Sequence, residues 1–147
     1  FGLEFTIFRF FNTYGPKQSP DFVMSRFISK AIKNEPITIY GDGLQSRTFC
    51  FIDDNVDACL NAAYGDQIIN DVVNIGNDNE ISIIHLAELI IDITKSKSEI
   101  IHLPPLAEGD MHRRLPDITK MKELLKRPLT NIETGIQKII ANPDFIL

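Results

Sequence analysis

Strand-like and helix-like segments alternate along this 147-residue chain, and that alternation constrains the fold more than any other feature. Residues 4–11 are rich in Phe and Ile and read as a buried strand, ended by Gly15-Pro16. From Asp21 to Asn34, Phe22, Val23, Phe27, Ala31 and Ile32 share one helical face, with Arg26, Lys30 and Lys33 turned to water. Asn34-Glu35-Pro36 stops that helix. Ile37 to Tyr40 is a short strand, and Gly41-Asp42-Gly43 is a turn, because glycine tolerates positive φ. Arg47 to Ile52 reads as a strand. Asp53 or Asp54 then caps a helix to about Ala63 by accepting from its first amides. Val72 to Gly76 is a further strand. Ser82 opens a helix to about Lys95 that is apolar over most of its surface, which predicts burial on more than one side. Ile100 to Leu103 is a strand broken by Pro104-Pro105, and Asp117 caps a helix through Leu125. Thr130 and Glu133 form a capping box for a last helix with Ile132, Ile136, Ile139 and Ile140 inward. Gly135 weakens that helix by about 1 kcal/mol relative to Ala. The expected class is α/β, with a few short strands and about five helices.

Charge and composition remove several function classes. A net charge of -5 excludes a general nucleic-acid binder, which needs a basic face. No apolar stretch is long enough to span a bilayer, and no secretory signal pattern is present. Cys50 and Cys59 lack metal-ligand spacing and read as reduced thiols, as in a cytoplasmic protein. There is no zinc set, no P-loop and no Ser-His-Asp arrangement, and Gly76 to Glu80 lacks the alternating ligands of a calcium loop. Phe1-Gly2-Leu3-Glu4 runs straight into the first strand, as expected of a piece of a longer protein.

Three places carry candidate chemistry. Asn12 follows a strand end, and open α/β sheets bind ligands beyond the carboxyl ends of their strands. Its amide suits a phosphate oxygen, although an Asn satisfying its own turn is the simpler reading of that residue alone. Arg47, just past the glycine turn, offers a planar fork suited to a diphosphate; by itself a surface arginine is the ordinary alternative. In the loop 106–115, Arg113 and Arg114 suit a phosphate and Asp110 a ribose hydroxyl, against a plain solvated loop. His112 has no acidic partner or nucleophile at a meaningful spacing.

Taken in order, five stretches resemble the carboxyl-terminal portion of the NAD-dependent nucleotide-sugar epimerase/dehydratase family, the extended short-chain dehydrogenases. They are Arg9 to Pro16, Ile39 to Gly43, Gln45 to Asp54, Val73 to Gly76 and Arg114 to Ile118. UDP-glucuronate decarboxylase, dTDP-glucose 4,6-dehydratase and UDP-sugar 4-epimerases belong to that family. The resemblance implies that Phe10 and Phe11 lie near the nicotinamide of NAD and that Asn12 binds a substrate phosphate. It places Thr38 and Tyr40 beside the nucleotide base, Arg47 on the diphosphate and Phe49 in the same pocket. Asp110 approaches the ribose or base, and Arg114 the phosphates or sugar. Asp117 is implied to be structural.

The departures are equally specific. The family's Gly-x-x-Gly-x-x-Gly turn and Tyr-x-x-x-Lys pair are missing: Gln18, Leu44 and Ile68 follow Tyr14, Tyr40 and Tyr64 at the lysine spacing. Ala107 stands where hexose 4-epimerases often have arginine, and Arg114, two residues before Pro116-Asp117, matches the decarboxylase pattern better. Lys126-Arg127-Pro128 replaces the family's Gly-Trp before proline, a change of local packing. The expectation is that residues 1–147 are a nucleotide-sugar binding lobe with the last strands of a Rossmann-like domain. The amino-terminal, NAD-binding half is then missing, and this chain alone is inactive. The full-length parent would oxidise C4 of a nucleoside-diphosphate sugar with NAD, closest to UDP-glucuronate decarboxylase, as a homodimer. The alternative is a non-catalytic nucleotide-sugar binding or oligomerisation module.

Overall fold

A computed structural model describes residues 2–65, 68–106 and 113–142. The elements are β1 (Thr6–Phe10), β2 (Thr13–Tyr14), α1 (Val23–Ile32), β3 (Ile37–Tyr40), β4 (Ser46–Thr48), β5 (Cys50–Phe51), α2 (Ile52–Tyr64), β6 (Asp71–Ile75), β7 (Glu80–Ser82), α3 (Ile83–Thr94), β8 (Ile100–Leu103), α4 (Thr119–Leu125) and α5 (Ile132–Ile140). The class is α/β as expected, but short strands follow one another between the helices and α5 follows α4 directly, so the alternation is not strict. The strands pair two by two. β1 and β6 run parallel with Phe8 opposite Val73, β2 and β5 are parallel with Tyr14 opposite Phe51, and β3 and β8 are parallel with Ile39 opposite His102. Only β4 and β7 are antiparallel among the described pairs. The stretch 47–52, expected as one strand, is thus two short ones. β4 pairs with β7, the chain passes through Phe49, and β5 pairs with β2.

Two apolar clusters hold these pairs together. One gathers Tyr14, Phe27, Ile28, Ile37, Ile39, Phe51, Leu86, Ile90 and Ile136 from β2, α1, β3, β5, α3 and α5. The other lies between α2, α4 and β6, around Cys50, Ala58, Val73, Ile75, Met121 and Leu124. α3 packs against α1, α5 and β3, which explains its nearly all-round apolar surface. In α1 the buried face is Met24, Phe27, Ile28 and Ala31, spaced i, i+3, i+4, i+7. It is rotated from the predicted face, so Phe22 stays exposed and Arg26, expected in water, is half-buried. No helix among the described residues is long and apolar enough to cross a membrane.

The helix starts show where local reading fails. Ser82 caps α3 as predicted, accepting from the His85 amide at 3.3 Å. Asp117 is not the expected cap of α4, whose N-cap is Ile118 without a side-chain bond; it lies one residue earlier and accepts from the Thr119 amide and hydroxyl at 2.9 and 2.7 Å. These bonds hold its carboxyl below the ordinary value. Neither Asp53 nor Asp54 is a cap: α2 begins at Ile52, with Phe51 at the N-cap position and no side-chain cap. Both aspartates sit in its first turn, where a carboxylate still faces the positive end of the helix dipole. Asp54 is fully buried and accepts from Arg127 Nη1 at 2.7 Å, the Thr130 amide at 2.9 Å and the Thr130 hydroxyl at 3.0 Å. That leaves Thr130 unable to cap α5. Asn131 does so, accepting from the Thr134 amide at 2.8 Å, in place of the expected capping box. Arg127 also bridges to Asp57, so this one side chain forms an ion-paired clamp on α2.

Candidate functional site

The site grows from the end of β1. The chain kinks at Asn12, which takes φ 37°, a left-handed conformation that asparagine tolerates better than most residues. The Asn12 carbonyl accepts from the Cys50 amide at 3.1 Å, tying the kink to β5. Gln18 donates to the Thr13 carbonyl at 2.6 Å and accepts from Ser25 of α1 at 2.9 Å, which fixes the kink against the helix. The Asn12 side chain does not serve its own turn: its Nδ2 is buried and has no hydrogen-bond partner among the described residues.

Asn12 lines a cavity of about 360 Å³ together with residues from α1, β3, β4 and the start of α3. Thr38, Ile39 and Tyr40 of β3 form one wall, Phe27 and Ile83 the apolar floor. The turn after β3 uses glycine at φ 67° and 75° at Gly41 and Gly43. Gly43 has a second reason: a Cβ there would come within 3.0 Å of Ile84 and 3.1 Å of Ile39. The turn is pinned to α3 by the Ile84 amide donating to the Gly43 carbonyl and the Ile83 amide to the Gln45 carbonyl. This delivers Gln45 and Arg47 to the cavity, Arg47 donating to the Ser46 carbonyl at 2.7 Å. Phe49 closes the cavity and meets Tyr14 edge-on at 6.3 Å.

Asn12, Val23 and Phe49 also line a second cavity of about 260 Å³, which opens onto Phe10. The asparagine therefore borders both. One space has cationic and aromatic walls; the other has an exposed phenylalanine face. Together they suit a ligand with a planar ring, an anionic centre and a further group beyond it.

Comparison with known proteins agrees with this geometry. The model of the NAD dependent epimerase/dehydratase family matches residues 1–76. The chain belongs to that family. Among its relatives, UDP-N-acetyl-alpha-D-glucosaminuronate decarboxylase of Bacillus cytotoxicus is 37% identical over 95% of this chain and 46% of its own length. UDP-glucuronic acid decarboxylase 2 of Arabidopsis thaliana is 37% identical over 95% of this chain and 32% of its own. The crystal structure of UDP-glucose 4-epimerase from Thermotoga maritima with UDP-glucose superposes with a TM-score of 0.86 and 33% identity. That match covers 95% of this chain and 45% of the solved one. The chain thus spans less than half the length of these family members.

Within the family frame, the structure gathers Asn12, Thr38, Tyr40, Arg47 and Phe49 on one cavity. Phe10 lines the neighbouring cavity, but Phe11 lines neither: it is half-buried, close to Gly76, with its amide on the Ile75 carbonyl. Arg114 is exposed and is not among the described lining residues, so only two of the three expected donors, Asn12 and Arg47, converge. Asp110 and His112 lie outside the described residues. Arg113 does not reach for a ligand phosphate. It forks onto Glu80, with both Nε contacts at 3.0 Å, and helps hold that carboxyl down to about 2, with Ser46 as second donor.

Arg26 was missed by the sequence. It lines the first cavity, and its Nε is buried without a partner among the described residues. A signal existed: it lies three residues after Val23 and one before Phe27, at the border of the apolar face. Tyr14 is buried in the core, and its phenol is pushed up by burial first and by Asp54 next. Burial likewise pushes the Cys50 thiol up to about 12, which makes it unreactive.

Proposed function

We propose that this chain supplies the nucleotide-binding wall of an NAD-dependent enzyme acting on a UDP-sugar through oxidation at C4, with UDP-glucuronate decarboxylation the preferred chemistry. The observation that carries the reading is the buried Asn12 amide, with no partner among the described residues, on a cavity that also holds Arg47 and two aromatic walls. In this reading Tyr40 and Thr38 border the base, and Arg47 and Asn12 hold the diphosphate by charge-assisted bonds. Phe49 closes the pocket, and Asp110 takes a ribose hydroxyl. The sugar then points past Asn12 toward the second cavity, where Phe10 offers a flat apolar face to a nicotinamide. Bound NAD would supply reversible hydride acceptance at the sugar C4. The residues here orient the sugar for that exchange and do not move its proton. No Tyr-x-x-x-Lys pair occurs in the sequence, so the isolated chain is inactive and the intact protein, a homodimer, is the catalyst.

Decarboxylase relatives in two kingdoms favour loss of carboxylate over epimerisation. Calorimetric titration of the intact protein with UDP tests the binding claim. Asn12→Asp keeps the size and the left-handed tolerance but turns a donor toward phosphate into an anion. It weakens UDP binding by about tenfold or more, as does Arg47→Ala. Unchanged affinity in both variants refutes the assignment. Release of carbon dioxide from UDP-glucuronate, against formation of a 4-epimer, decides between the two reactions.

A further inference from the structure

The described wall of the first cavity carries two cations, Arg26 and Arg47, and no carboxylate. Arg26 comes from the middle of α1, flanked by Val23 and Phe27, which line the same space. Its Nε is buried and unmatched among the described residues, and so is the Asn12 amide on the same cavity. Buried donors are rarely left unmatched, least of all on a charged group. Two such donors on one wall mark a place built for an external acceptor with negative charge.

We infer that Arg26 is a second cationic anchor for the diphosphate, its guanidinium donating to phosphate oxygens on the cavity that Asn12 also lines. This rests on the nucleotide reading of the cavity given above. Arg47, from β4, lines the same cavity. The arrangement makes the pocket selective for phosphate content. The base lies against β3 and contributes affinity that does not depend on Arg26.

The test is calorimetric titration of the intact protein with UDP and, separately, with uridine. Arg26→Gln weakens UDP binding by about tenfold or more, the cost of a lost charge-assisted bond, and leaves uridine binding within about twofold. Arg26→Lys keeps the charge but not the Nε–H, and it loses several-fold on UDP and nothing on uridine. Thermal melting confirms that each variant is folded, and the lysine variant alone decides if the glutamine variant is not. A variant that binds UDP as tightly as wild type overturns the inference, as does an equal loss for UDP and uridine. If Asn12→Asp weakens UDP binding while both Arg26 variants leave it intact, only the role of Arg26 fails. If the wild-type protein binds no UDP, the nucleotide reading falls and the inference falls with it.

Discussion

At Gly135, helix propensity and packing make opposite predictions. Propensity alone makes Gly135→Ala stabilising by about 1 kcal/mol. The structure reverses the sign. A Cβ at that position would lie 2.0 Å from Tyr14 Oη, 2.7 Å from Cζ and 2.9 Å from Cε2. The ring cannot swing away: Tyr14 is 1% exposed and meets Phe51 and Phe49 edge-on at 5.3 and 6.3 Å. Overpacking of this kind costs about 1–3 kcal/mol, and three contacts below van der Waals distance put it near the upper end. Subtracting the propensity gain leaves a net loss of about 2 kcal/mol. Tyr14→Phe removes the nearest atom and a hydroxyl with no partner among the described residues, so alone it is nearly neutral. In the double variant Cζ still crowds the new methyl, and about half of the loss is recovered. That is a coupling of about 1 kcal/mol. Urea unfolding of the wild type, both single variants and the double variant measures it. A more stable Gly135→Ala, or strict additivity with Tyr14→Phe, would refute the packing argument.

Three further predictions concern the scaffold. Asp54→Ala strips Arg127 of one partner and strands the Thr130 amide; it destabilises by about 3 kcal/mol in denaturant melts, softened because Arg127 keeps Asp57. Asn131→Ala costs about 1 kcal/mol at the start of α5, whereas Glu133→Ala changes stability by less than about 0.5 kcal/mol; the reverse order would restore the capping box. Glu80 titrates in NMR at about 2 against an ordinary 4.5, and Arg113→Ala moves it part-way back, with Ser46 still donating. A depressed carboxyl contributes stability above its ordinary pKa and loses it as the pH falls toward 2, so wild type and Arg113→Ala differ at neutral pH and converge in acid.

What the sequence made legible were the features set by nearest neighbours. β3, α3 and β8 match their patterns closely because apolar period, Ser82 and Pro104-Pro105 are local signals. The same holds for the glycine turn that delivers Arg47. The misses depend on distant partners. Asp54 and Thr130 each looked like a helix cap, yet they bond to each other across 76 positions. Gly135 looked like a weak point because Tyr14, which requires it, lies far away in sequence. β2 and β7 are too short to show a period. Arg26 was read as solvated because the burial face of α1 is set by α3 and β3, not by α1 alone. The site was legible only through several weak motifs in the right order. The cavity shows why the spacing of three of them matters: the stretches around Asn12, Tyr40 and Arg47 each supply lining residues, whereas Val73 to Gly76 and Arg114 to Ile118 supply none among the described residues.

A crystal structure of the intact protein with a bound UDP-sugar tests the central claim most directly. The account predicts the diphosphate within hydrogen-bond distance of Asn12 Nδ2 and the Arg47 guanidinium, with the uracil against Tyr40. A diphosphate bound elsewhere, with this cavity filled by solvent, would contradict it.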